Sequence, residues 1–404
     1  MKWHASGGRL NRRLIIGIIG LAIVAIAGAL LFVKHLPENL ISRGGKVRVY
    51  YIAADEVTWN YAPTGKNVIT GQPFTAQQAV YAVNSPDTIG SSYKKALYRQ
   101  YTDGTFSKLT PIPADQRYLG LLGPTIHAEV GDTIKIYFKN NTTIPVSMHP
   151  HGLLYSKASE GAGYNDGTAG TDKTGDAVPP GGHYLYTWQV PERAGPGPMD
   201  PSSIMWMYHS HVDEVKDTNS GLVGAIIVTR RGMARPDGTP KDVDKEFVTL
   251  FSIFDENSSW FLSDNIKTAI AKPQSIDPNN ADFHESNLKY SINGYIYGNM
   301  PMMTMTEGEH VRWYVAGMGG EADVHTPHWH GNTVVINGMR TDVAQVLPMG
   351  MAVADMTPDN PGIWLFHCHV NEHILGGMLT RYQVLPAKGG QPVQSSEDTT
   401  MPGM

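Results

Sequence analysis

Eight histidines stand in four His-x-His pairs: His149/His151, His209/His211, His328/His330 and His367/His369. In a strand, residues i and i+2 point to one face, so each pair presents two imidazoles together. One such pair is weak evidence, since core and surface histidines produce the spacing often enough. Four pairs, two in each half and in matching places, are strong evidence. Imidazole nitrogen suits Zn, Cu, Fe and Ni. Without clustered carboxylates beside them, eight imidazoles can hold several metal ions, and copper fits best.

Cys368, the only cysteine of the 404 residues, stands between His367 and His369. Alone it would read as a buried structural thiol. Its neighbours argue for metal: His325 lies three residues before His328, His373 four after His369, and Met378 five beyond that. Two histidines, one cysteine and a thioether are the donor set of a blue-copper electron-transfer site. Zinc accepts Cys and His too, but it has no redox use for a thiolate flanked by the ligands of a second centre. Sliding the first half onto the second puts Ser210 at Cys368, Val215 at His373 and Val146 at His325. One blue site and one multinuclear cluster follow.

The elements that must position these groups are strands. Runs such as VRVYYIAADEVTW, TIKIYFKN, LVGAIIVTR, EFVTLFSIF, HVRWYV and TRYQVL alternate or run apolar between Gly, Pro, Asn and Asp clusters. With 43 Gly and 27 Pro, the reading is all-β, two β-sandwiches. QQAVYAV and SSYKKALYRQY are expected to hold local helical turns. The halves repeat loosely: MWMYHSHV parallels IWLFHCHV, HPHG parallels HWHG, and GPTIHAEVGDTIKIYF parallels MPMMTMTEGEHVRWYV. The breaker-rich Arg230–Glu246 marks the boundary, giving domains at 47–235 and 236–386. Leu14 to Val33 runs 20 residues without a charge, the length of a membrane-spanning helix. Basic residues before it predict a cytoplasmic stretch at 1–13. An anchor at 14–33, a tether at 34–46 and a flexible tail at 387–404 complete the division. A cleaved signal peptide is the rival reading of the apolar run. The catalytic part is then extracytoplasmic, periplasmic or extracellular. It carries about −10, which excludes nucleic acid as a partner.

These residues resemble the multicopper oxidases from about Val47 to Leu385. The L-x-G-P…E-x-G-D, HPHG, YHSHV, H-x-x-H-x-H-G and H-C-H-x-x-x-H-x-x-x-x-M motifs carry the resemblance. KKALYRQYTDGTF, DENSSWFLSDNIKT, ESNLKYSINGYIYG and GMGGEADVHTPHWHG look like the ceruloplasmin branch, and the chain is similar to two-domain oxidases with a blue site only in the second domain. The resemblance implies cupredoxin-type Greek-key domains and four copper ions per chain. His325, Cys368, His373 and Met378 would bind type 1 copper, and His149 and His328 type 2. His151, His209, His211, His330, His367 and His369 would bind the type 3 pair. It further implies one-electron oxidation of a small reducing substrate with reduction of O2 to water. A homotrimer with clusters between neighbouring chains is implied too, a self-closing monomer being the alternative.

Glu372, beside His373, and Glu256, in FDENSSW, are candidates to hold Fe(II) by resemblance to that branch; ordinary surface acids are the equal alternative. Glu160 aligns with a proton-relay acid, a solvated loop acid being the alternative. The methionines of NMPMMTM are expected to pack rather than to bind Cu(I). Asp166, Asp172 and Asp176 are possible calcium ligands or plain turn formers. Four functions compete: a membrane-anchored oxidase of Fe(II) or other metal ions, a laccase-like oxidase of phenols or diamines, a copper nitrite reductase, and a copper carrier.

Overall fold

The computed structural model describes residues 44–387. The expected anchor at 14–33, nearly all of the tether and the tail from 388 lie outside the described residues. No helix among the described residues is long and apolar enough to cross a membrane.

The first half contributes β1 (Val47–Asn60), β2 (Ser92–Tyr101), β3 (Ile126–Glu129), β4 (Thr133–Asn140), β5 (His149–Pro150), β6 (His183–Gln189), β7 (Ser203–His209) and β8 (Val223–Thr229). They form two sheets, ordered β2-β1-β4-β6 and β3-β8-β7-β5. The second half contributes β9 (Lys245–Asp255), β10 (Leu288–Ile292), β11 (Met303–Thr306), β12 (Val311–Met318), β13 (Pro327–Trp329), β14 (Val334–Ile336), β15 (Met339–Thr341), β16 (Met351–Met356), β17 (Gly362–Cys368) and β18 (Leu379–Leu385). Its sheets are β10-β9-β12-β16-β14-β15 and β11-β18-β17-β13. The repeat is plain in the topology: β3-β8-β7-β5 and β11-β18-β17-β13 are the same arrangement. Each half mixes parallel and antiparallel pairing, β1 with β4 and β9 with β12 both running parallel.

Three hydrophobic cores explain why the apolar runs are continuous. In β8 every residue is buried. Ile226 and Val228 enter the core of the first sandwich, while Val223, Ala225 and Ile227 enter a second core facing the other half. β12 does the same: Val311, Trp313 and Val315 fill the second sandwich, and Tyr314, Ala316 and Met318 face the middle. Strands apolar on both faces lose the alternation that marks a half-exposed strand. The halves are therefore joined by an apolar core of their own.

Among the described residues, five short α-helices flank the sheets: α1 (Ala76–Ala82), α2 (Glu214–Asn219), α3 (Leu262–Ala269), α4 (Ala281–Ser286) and α5 (Asn371–Gly376). QQAVYAV forms α1, with Thr75 and Gln78 making a reciprocal N-terminal cap. SSYKKALYRQY does not form helical turns: it is β2, paired with β1 from Ser92 to Tyr101. Tyr93 and Leu97 reach the middle core while Ala96 and Tyr98 reach the first, and that two-faced burial overrides a helix-compatible composition. Met300, Met303 and Met305 are buried in the core of the second sandwich and Met302 is half-buried, so three of the four methionines of NMPMMTM pack.

Candidate metal centre

Strand pairing assembles the histidines into two quartets. His149 pairs across the ladder with His209, and His328 with His367. His151 and His211 continue the first group, with ring centroids 5.2–5.7 Å apart along its contacts. His330 and His369 continue the second, at 4.5–5.5 Å. Both rely on the glycine after the pair. A Cβ on Gly152 would lie 2.3 Å from the Trp206 ring, and one on Gly331 would lie 2.4 Å from Trp364. Both glycines also take positive φ, which glycine alone tolerates freely.

The ring nitrogens are oriented from behind. His149 Nδ1 meets the Glu160 carbonyl at 2.7 Å, His209 Nδ1 the Ser210 carbonyl at 3.0 Å, and His367 Nδ1 the Cys368 carbonyl at 2.7 Å. A carbonyl only accepts, so each Nδ1 carries the proton and each Nε2 is a bare lone pair. His209 Nε2 then faces His151 Nε2 at 3.0 Å, and His367 Nε2 faces His330 Nε2 at 3.0 Å. Burial, joined by the neighbouring imidazoles, brings His151, His209 and His367 down to about 4, so these rings are neutral at pH 7. Neutral imidazoles converging by lone pairs are the donor set a late transition-metal ion fits. Among the described residues, no ring contact or hydrogen bond joins the first quartet to the second. His369 is exposed, and His211 is partly so.

The third group is buried. His325, Cys368 and Met378 are fully enclosed, and His373 nearly so. The Cys368 sulfur lies 3.4 Å from His373 Nδ1 and 3.9 Å from His325 Nδ1, and the two nitrogens are 3.2 Å apart. Burial pushes the Cys368 thiol up, but hydrogen bonds from His325, His373 and the N–H groups of Thr326 and Val370 outweigh it. The thiol falls to about 6. A thiolate between two imidazoles, with His367 and His369 as its chain neighbours, places a soft ligand set against the second quartet. Met378 is tied in by its backbone: its carbonyl accepts from Cys368 N–H at 3.1 Å, and its N–H donates to the His373 carbonyl at 2.8 Å.

Three acids were candidates. Glu372 is exposed on α5 beside His373. Glu160 lies behind His149, its carboxylate held by Lys157 at 2.6 Å and Tyr164 at 2.9 Å. Glu256 does not belong at an entrance. It is fully buried, paired with the buried Lys95 and hydrogen-bonded by Tyr61, so an incoming ion cannot reach it. Glu285, overlooked in the sequence, sits better. It accepts from the Tyr81 and Tyr290 hydroxyls at 2.7 and 3.4 Å, and the Tyr290 ring lies 5.6 Å from His373. Glu285 also lines a cavity of about 710 Å3 whose other charged groups, Asp87, Asp277 and Asp282, are all acidic. The sequence signal for it is the ESNLKY segment, part of the likeness to the ceruloplasmin branch. Of the possible calcium ligands, Asp166 and Asp176 come together but around the Lys173 ammonium, at 2.8 and 3.3 Å, and Asp172 is exposed.

Models of the multicopper oxidase family match residues 119–232 and 267–388, together more than half of the chain. Ferroxidase HEPHL1 of Homo sapiens is 46% identical over 344 residues, covering 84% of this chain and 29% of its own length. Hephaestin of Homo sapiens is 42% identical over 90% of this chain and 31% of its own length. Ceruloplasmin of Homo sapiens is 40% identical over 89% and 34%. The chain thus spans about a third of the length of these curated relatives. Among solved structures, the multicopper oxidase mgLAC superposes with a TM-score of 0.53 at 19% identity, covering 87% of this chain and 89% of that one. The blue copper oxidase from Nitrosomonas europaea does so at 0.50 and 18%, covering 84% and 86%. With the sheet-rich cupredoxin-like fold and the ligand motifs in both halves, the chain belongs to the multicopper oxidase family.

Proposed function

We propose that this chain oxidises a metal ion such as Fe(II) one electron at a time at the His325–Cys368–His373 group and passes the electrons to O2, forming water, at the histidine quartets. The observation that carries the reading is the position of Cys368: its sulfur meets two Nδ1 atoms, while the residues on either side of it belong to the second quartet. His325, Cys368 and His373, with the Met378 thioether as a further donor, would hold type 1 copper. His149 and His328 would hold type 2, and His151, His209, His211, His330, His367 and His369 the type 3 pair, four ions per chain. When bound, copper supplies reversible one-electron redox at the thiolate site and O2 activation at the cluster.

The chain's own groups do the rest. Glu372 and Glu285 offer hard oxygens to an incoming cation, and Tyr290 links Glu285 to His373, its hydroxyl bonding the one and its ring contacting the other. The Cys368 backbone joins the electron entry to His367 and His369. Glu160 fixes His149 through its carbonyl, and its carboxylate is the acid proposed to pass protons towards the first quartet. By resemblance to the two-domain oxidases, we also propose a homotrimer whose clusters form where domain 47–235 of one copy meets domain 236–386 of the next. Anchoring by residues 14–33, with the oxidase on the extracytoplasmic side, completes the proposal.

Eight cluster histidines speak against a copper nitrite reductase, which needs a single interface copper, and a carrier has no use for an intact cluster. The large acidic cavity beside Glu285, walled by Val80, Ile276 and Phe283, favours one second reading: an organic amine as electron donor. Copper counting and oxygen uptake with Fe(II), with a dimethoxyphenol and with an aromatic diamine test these together. About four coppers per chain and faster uptake with Fe(II) are expected. One or two coppers per chain would sink the oxidase reading.

A further inference from the structure

Asp323 lies two residues before His325 and is buried. Its Oδ1 meets His325 Nε2 at 3.1 Å and accepts from Ile253 N–H of β9 at 2.7 Å. Its Oδ2 accepts from Gly320 N–H at 2.8 Å. The carboxylate is thus clamped by two backbone donors from different segments before it touches the imidazole. The loop is shaped for it: Gly319 has φ +132°, and a Cβ there would lie 2.0 Å from Asp323 Oδ2.

The first half provides an internal comparison. The register that sets His328 on His149 puts Val146 at His325, Ile144 at Asp323, and Asn140 and Asn141 at Gly319 and Gly320. Where the histidine is absent, the carboxylate and both glycines are absent too, and Ile144 packs against the first core. The carboxylate follows the histidine rather than the fold.

We propose that Asp323 is the positioning residue of the thiolate site: by holding the Nε2 proton of His325 it turns Nδ1 towards Cys368 and His373 and raises the basicity of that nitrogen. This rests on reading the three residues as one metal site. A carboxylate behind a ligating imidazole fixes its tautomer and strengthens donation, and removing such partners costs about 10–100-fold in metal affinity. A more basic imidazole favours the oxidised ion, so Asp323 lowers the reduction potential of the site.

Asp323→Asn keeps the volume and an acceptor for Ile253 but removes the charge. In the copper-loaded full chain, D323N should keep the thiolate-to-copper visible band, bind copper about 10–100-fold more weakly and titrate at a higher potential. Glu321→Gln, which removes an exposed charge two residues away, should leave the potential in place. A D323N potential equal to wild type, or moved no further than that of E321Q, overturns the proposal. Should D323N not fold, nitrogen-15 spectra of the metal-free wild type still decide: His325 is expected to carry a proton on Nε2, and an Nε2 without one overturns the role. A wild type that loads copper without the visible band would instead defeat the metal-site reading, leaving the tautomer measurement to judge Asp323 by itself.

Discussion

The positions around Ser210 and around Cys368 are built on one backbone pattern. Ser147 N–H donates to Ser210 Oγ at 3.0 Å, and its counterpart Thr326 N–H donates to Cys368 Sγ at 3.4 Å. His211 N–H donates to the Ser147 hydroxyl, and His369 N–H to the Thr326 hydroxyl, at 3.0 and 3.2 Å. What differs is the centre. In the first half Asp217, fully buried, accepts from Ser210 Oγ, Val212 N–H, Asp213 N–H and Trp260 Nε1 at 2.6–3.1 Å. In the second half the same place holds two imidazoles and a thiolate. One copy closes the site with hydrogen bonds to a carboxylate, the other leaves a soft donor set. The scaffold orients each histidine quartet either way, so the proposed electron port is separable from the histidine quartets.

The largest effect should come from erasing that difference. Cys368→Ser makes the second site chemically like the first while keeping the Thr326 hydrogen bond. The visible thiolate–copper band and donor-dependent oxygen uptake should both vanish, with copper at the histidine quartets retained. Uptake at more than about a tenth of wild type would show that electrons enter elsewhere. The reverse change, Ser210→Cys, should build no blue site, because Val146 and Val215 supply no imidazole and Asp217 remains.

Next in size is the first copy's own centre. Asp217→Ala leaves Trp260 Nε1, the Ser210 hydroxyl and two backbone N–H groups without an acceptor. Stranding buried donors around a lost charge costs about 3–5 kcal/mol. Urea unfolding should report that loss, while the visible spectrum of the second site stays as in wild type. A loss under about 1 kcal/mol would mean that Asp217 is not what closes the copy.

Much of this was legible in the residues, and the part that was not has a physical reason. The His-x-His spacing survives because strand periodicity is local, so the quartets and the Cys368 group could be read before any fold. Ser210 against Cys368 needed only the internal repeat. Glu256 could not be read correctly, because its fate depends on Lys95 arriving from β2 of the other half. Asp217 and Asp323 were missed for the same reason: their partners, Trp260 and Ile253, are remote in the chain. SSYKKALYRQY misled because its burial on two faces belongs to the tertiary structure.

The two acids that exchanged places give a third, smaller contrast. Glu285→Gln should raise KM for Fe(II) roughly tenfold, about 1.4 kcal/mol, and leave turnover of a neutral phenol unchanged. Glu256→Gln should leave both kinetic constants alone and instead lower stability by about 3–5 kcal/mol, since Lys95 stays buried without its counter-charge. If E256Q selectively impaired iron turnover, the entrance would have been placed at the wrong acid.

The smallest effect tests the seam that holds the two copies together. Arg312 is buried, bonded to Asp355 and to the Ser202 and Ser203 hydroxyls of the other half at 2.7 Å each. His310 Nε2 adds to Asp355 at 3.4 Å, and its Nδ1 meets the Asp242 carbonyl at 2.6 Å. The hydrogen bond to Asp355 raises the His310 imidazole above its ordinary 6.5, against a smaller lowering by burial. Because the folded value lies above the unfolded one, this contact stabilises fully below pH 6.5 and fades as pH rises through the folded value. Asp355 moves the other way: burial pushes it up, but His310 and Arg312 hold it below the usual 3.8. Its contribution is present above that value and is lost on acidification. His310→Gln should therefore cost about 0.2–1 kcal/mol at pH 6, a screened, partly exposed pair, and nothing near pH 9. Equal losses at both pH values would mean that the ring acts by packing, and that the seam between the copies does not sense protons through His310.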